Sequence, residues 1–163
     1  MASLTFAKLD VTLAWTQEHA ITGFDSSEQA SGIRTSILPT ISSSAASEVY
    51  QVQVSLAAGA SQTIDLSSLT EPAFGQALTP TGAYMIVVYG TGTTWKYDGG
   101  TSNQFYWFLG GATQSINSNA GDVFAYGSTT AGAISGAAKN IRVTNTAGSG
   151  TLTATVAVIL KTA

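Results

Sequence analysis

Cysteine is absent, histidine occurs once, proline three times, and charge is scarce. Six Lys and Arg with nine Asp and Glu among 163 residues make 9%, against roughly 25% in ordinary soluble proteins. Each shortage excludes something. Without cysteine there is no disulfide, no thiolate nucleophile and no Cys-based zinc site, so stability must come from packing, and the redox state of the compartment stays open. With His19 as the only imidazole, a triad would need Asp25 and Ser26 close by. Such residue types fall together by chance in a Ser-rich stretch, and a triad is recognised by geometry. No two of the nine acids have a spacing that pairs them for glycoside cleavage. Asp98, Asn103 and Asp122 lack the alternating ligands of a dedicated calcium loop. Gly90-Thr91-Gly92 follows a strand pattern without a third glycine or a helix, so it reads as a hairpin turn rather than a phosphate loop. The expectation is a protein that is not an enzyme, with no catalytic residue, no cofactor and no metal.

Long apolar runs are missing too. The longest, residues 83–89, is too short to cross a bilayer and suits a strand buried on both faces. The first 25 residues carry Lys8, Asp10, Glu18, His19 and Asp25, which leaves no room for the apolar core of a signal peptide. Synthesis in a cytoplasm and no membrane partner are expected. The cations Lys8, Arg34, Lys96, Lys139, Arg142 and Lys161 are scattered through a chain of net charge −3, which disfavours direct nucleic-acid binding.

What is present is hydroxyl, small and β-forming. A surface built from Thr, Ser, Ala and Gly suits contact with other protein subunits, because interface cores are depleted in charge. The dominant period is two. Tyr50, Val52, Val54 and Leu56 share one strand face and Gln51, Gln53 and Ser55 the other, and the alternation recurs at Leu9 to Trp15, Ile64 and Leu66, Ile141 and Val143, and Leu152 to Leu160. Leu4 and Phe6 are in the opposite phase to Leu9, as a bulge or a change of sheet would require. About ten strands fit this template, separated by glycine turns, with no helix-period stretch. The fold class predicted is all-β: residues 1–163 as a single antiparallel β-sandwich, jelly-roll-like, with residues 141–160 as a closing hairpin. Residues 1–47 read as an attachment arm or peripheral strands, since 25–48 is Ser-rich around an extended piece, 33–41, broken by Pro39.

Aromatic residues cluster at Tyr84, Tyr89, Trp95, Tyr97, the run Phe105-Tyr106-Trp107-Phe108, Phe124 and Tyr126. Read as a strand, 105–108 would carry aromatic surface on both faces, one for the core and one for a neighbouring subunit or a sugar. Trp95, Tyr97, Tyr106 and Phe108 are the candidate interface or ligand-contact residues. The same two-sided aromatic character and low charge predict a homo-oligomer.

The order of elements in the last hundred residues, namely Ile64-Asp-Leu66-Ser-Ser-Leu69, the strand 84–89, Gly99-Gly-Thr-Ser-Asn103, Gly121-Asp-Val-Phe-Ala-Tyr126 and the segment from Asn140 to Leu160, resembles small β-sandwich virion structural proteins of tailed bacteriophages. That resemblance implies a capsid decoration or cement protein that binds the major capsid protein lattice on the outer capsid surface after synthesis in the host cytoplasm, and it suggests a trimer. The alternatives are a tail or head-fibre subunit and a carbohydrate-binding, lectin-like module.

Overall fold

The computed structural model describes residues 16–20, 27–31, 48–70, 77–107, 109, 111 and 113–162. Within them the backbone forms twelve strands and no helix. Strands β1 (Thr16–Ala20) and β2 (Ser27–Ser31) pair antiparallel, and β5 (Leu69–Thr70) pairs with β6 (Ala77–Leu78). The other eight are β3 (Glu48–Leu56), β4 (Ser61–Asp65), β7 (Pro80–Thr91), β8 (Trp95–Asp98), β9 (Ser115–Ser118), β10 (Val123–Ala133), β11 (Asn140–Asn145) and β12 (Leu152–Thr162). They make two four-stranded sheets, ordered β10-β7-β12-β3 and β4-β11-β8-β9, with every neighbour antiparallel.

Period-two patterning decides which side of β3, β11 and β12 is buried. In β12 the side chains of Leu152, Ala154, Val156, Val158 and Leu160 are buried, while Thr153, Thr155, Ala157 and Ile159 between them are half-exposed. In β3 Tyr50 and Leu56 are buried, and Gln51, Gln53 and Ser55 face water. The second sheet answers with Ile64, Trp95, Tyr97, Ile141 and Val143, and all these inward residues join one core cluster between the sheets. This is a β-sandwich, as the alternation predicts. At Gly90 the two layers come so near that a Cβ would lie 2.5 Å from Trp95 Nε1. The indole N–H itself donates to Asn119 O at 2.9 Å.

The pairing is nested. Strand β3 pairs with β12, β4 with β11, β7 with β10 and β8 with β9, around the 99–114 loop. Two expectations are corrected by it. The Gly90-Thr91-Gly92 turn is not a hairpin turn: β7 pairs with β10 and β12, whereas β8, just after the turn, pairs with β9 and β11. Likewise 141–160 is not a hairpin, because β11 and β12 belong to different sheets. Side-chain parity is the same whether a turn folds the chain back within its own sheet or carries it over the edge to the other layer, so period alone cannot tell the two apart. The strand expected over 105–108 is a third correction, made over its described residues 105–107. Gln104 makes a single parallel bridge to Asn140, Phe105 N donates to Asn140 O at 2.8 Å, and Leu109 N donates to Tyr106 O at 2.8 Å, so the chain turns there instead of extending. The strand pattern at 9–15 and the extended piece at 33–41 lie outside the described residues, except that β1 begins at Thr16.

Asn145 ties the corners together. Its buried side chain donates from Nδ2 to Leu56 O at 3.0 Å and Gly150 O at 3.1 Å, and its Oδ1 accepts from Thr93 Oγ1 at 2.9 Å and Ala147 N at 3.1 Å. Asn145→Ala removes four hydrogen bonds and leaves their partners without that side chain in a region it shielded from water. At roughly 1–3 kcal/mol for an unsatisfied buried group, partly relieved by water entry, the expected loss is about 2–4 kcal/mol. For a domain of this size that is a Tm lower by roughly 5–15 °C. An unchanged melting temperature would contradict this account of the corners.

Candidate functional site

The sandwich presents two unlike outer faces. On the β10-β7-β12-β3 sheet the outward side chains align in three registered rows: Val123, Tyr89, Thr155 and Gln53; Ala125, Val87, Ala157 and Gln51; Gly127, Met85, Ile159 and Val49. None is charged, and Lys161 lies beyond the last row, opposite Gly82. All but Met85 reach solvent, with Val49 41%, Tyr89 42% and Val123 58% exposed. Tyr89 and Val123 are register neighbours on β7 and β10, while Val49 lies across the sheet on β3.

The opposite face gathers charge. Register places Arg142 of β11 beside Asp98 of β8, and Thr144 beside Lys96. Arg142 Nε donates to Asp98 Oδ1 and Nη2 to Oδ2, both at 2.9 Å, in a bidentate clamp, while Lys96 Nζ lies 3.0 Å from Oδ2. The Gly100 amide adds a hydrogen bond to Oδ1 at 2.8 Å. Burial, the largest single influence, pushes the Asp98 carboxyl upward, but the hydrogen bonds from Arg142, Gly100 and Lys96 outweigh it and hold the carboxyl below its ordinary range. The same clamp raises Arg142. Across β11, where Asp65 of β4 stands opposite Asn140, Lys139 Nζ donates to Asp65 Oδ2 at 2.7 Å. Over the Asp98 cluster opens a cleft of about 390 Å³, floored by Lys96, Asp98 and Arg142 and walled by Gln104, Thr113 and Gln114 of the 99–114 loop.

The four candidate contact residues are not brought together. Trp95 and Tyr97 are both 0% exposed in the core, Tyr97 with its ring centroid 5.3 Å from that of Phe124. Neither is available to a partner or a ligand, which corrects the expectation. The signal was present in the sequence: Lys96 and Asp98 occupy the alternate positions of the same strand and claim its outer side. Tyr106 is exposed at 45% on the 99–114 loop, and Phe108 lies outside the described residues. Trp107, between them, packs edge-on against Tyr126 with ring centroids 5.1 Å apart, over Gly132. His19 stands opposite Glu28 in the β1–β2 register, while Asp25 and Ser26 lie outside the described residues. Of the calcium candidates, Asp98 is occupied by its two cations, and Asp122 Oδ2 accepts from Asn119 N at 2.7 Å within its own turn. No group of three or more metal-ligating side chains converges, and no helix is long and apolar enough to cross a membrane, among the described residues.

No protein-family model matches the chain, and no curated protein matches it at a significant level.

Proposed function

We propose that this protein is a non-enzymatic structural component of a virion, a capsid decoration subunit that lies on the outer capsid surface and binds the lattice of major capsid protein. The observation that carries the reading is the uncharged outer face of the β10-β7-β12-β3 sheet, where twelve registered positions hold no Asp, Glu, Lys or Arg while three exposed residues are large and apolar. Such a face suits a partner met without charge steering. A lattice multiplies modest contacts through many equivalent sites, especially when the bound protein is itself a homo-oligomer, read here as a trimer. We also read the nested pairing as the wrapping of a jelly roll, an architecture found in viral capsid and lectin domains. Fold alone does not assign function, so the weight rests on the face.

Contacts that lack ion pairs should be insensitive to salt. At 1 M the Debye length falls to about 3 Å, which weakens charge-steered binding and leaves apolar and hydrogen-bonded binding largely intact. Purified protein mixed with undecorated shells is expected to co-sediment equally at about 0.1 M and about 1 M salt. Loss of the protein from the pellet at the higher salt would speak against the uncharged face as the contact.

A further inference from the structure

The cleft on the opposite face has a different chemistry from the proposed lattice contact, and its donor inventory defines a ligand. Asp98 is saturated, its two oxygens accepting from Arg142 Nε, Arg142 Nη2, Lys96 and the Gly100 amide. One carboxylate against two cations leaves the floor with a net positive charge. A guanidinium carries five N–H donors and an ammonium three. The clamp engages two donors of Arg142 and one of Lys96, and both side chains line the cleft with 21% and 30% of their surface open. The clamp also fixes the guanidinium plane, so that its free edge is oriented before any ligand arrives. The walls are uncharged and hydrogen-bonding. Gln104 spends its Nε2 on Gly100 O at 3.0 Å, which orients its Oε1, and Thr113 and Gln114 add a hydroxyl and a carboxamide. Fixed cationic donors below and uncharged donors and acceptors around them, in about 390 Å³, match a compact molecule that carries one carboxylate and several hydroxyls.

We infer that this cleft binds an acidic saccharide unit of the hexuronate type, its carboxylate on the free donors of Arg142 and Lys96 and its hydroxyls on Gln104, Thr113 and Gln114. The site does not depend on the lattice reading, because it lies on the other sheet and is complete within one chain. A simple anion would use the floor alone. A neutral sugar would use the walls alone.

The test is calorimetric titration of the full chain with trigalacturonate, with a neutral trisaccharide of the same length and with inorganic phosphate, at matched low ionic strength. Trigalacturonate is expected to bind at least about tenfold more tightly than either comparator, the worth of one charge-assisted hydrogen-bond pair. Its affinity should fall as salt is raised. Lys96→Gln, which leaves the Arg142–Asp98 clamp in place, is expected to weaken trigalacturonate by about tenfold and to leave the neutral sugar unchanged. Gln114→Ala, at an exposed loop position, is expected to weaken both sugars with no change in Tm and so reports on the walls without disturbing the fold. The inference is overturned if no trigalacturonate binding is detected, if phosphate binds as tightly, if the neutral trisaccharide binds as tightly, or if both variants retain full affinity.

Discussion

A Val156→Asp chain is expected to yield no soluble folded protein. Val156 sits midway along β12, the strand that β7 and β3 flank, and it pairs with Val88 on one side and Val52 on the other. Its side chain is 0% exposed and belongs to the core cluster. A carboxylate there meets no buried cation among the described residues, so it either stays ionised at a prohibitive solvation cost or takes up a proton and remains an unsatisfied polar group. Either course costs several kcal/mol, comparable with the roughly 5–15 kcal/mol that holds such a domain together. The neighbouring Thr155→Asp turns the same carboxylate to the half-exposed outer side and should fold with a near-normal melting temperature. The pair isolates parity from chemistry. A soluble, cooperatively melting Val156→Asp protein would contradict the inward assignment of β12.

One residue further on, Ala157→Glu is expected to leave the fold intact and abolish attachment to shells. Ala157 is at the middle of the uncharged face, between Val87 and Gln51 in register. An uncompensated charge buried in a contact costs about 3–5 kcal/mol, which is more than a hundredfold in affinity for each site. On a lattice with many sites the effect is amplified, since avidity depends on the single-site affinity. The variant should melt within a few degrees of the parent, while its co-sedimentation with shells falls to background. Lys96→Gln, on the opposite face, should sediment with shells as the parent does. Binding of Ala157→Glu at parental levels would remove this face from the contact.

Period two was enough to read β3, β11 and β12 and their inner and outer sides, but not β7, where the run 83–89 read as buried on both faces and Tyr89 is 42% exposed. The positions assigned inward in β3 and β12 are inward, and glycines 59, 121 and 150 lie in turns between strands at positive φ. Partners were not legible, because local alternation carries no information about which strand lies alongside. That is why corners were mistaken for hairpins, and why the Asp98–Arg142 clamp, 44 residues apart in sequence, was invisible until register brought β8 and β11 together. The aromatic cluster misled for a related reason. An aromatic ring suits a core and a contact surface equally well. The choice for Trp95 and Tyr97 was set by the polar neighbours that alternate with them, Lys96 and Asp98. At 105–107 apolar composition suggested a strand, but the backbone hydrogen bonds of Phe105 and Leu109 commit that stretch to a loop.

The most direct test of the lattice assignment is an electron cryomicroscopy reconstruction of undecorated shells incubated with the full chain. The account predicts new density at repeated positions on the outer surface of the shell, with the β10-β7-β12-β3 sheet of each sandwich toward the capsid protein and the Asp98 cleft outward. Density confined to tails, shells that remain bare, or sandwiches docked by the charged face would contradict it.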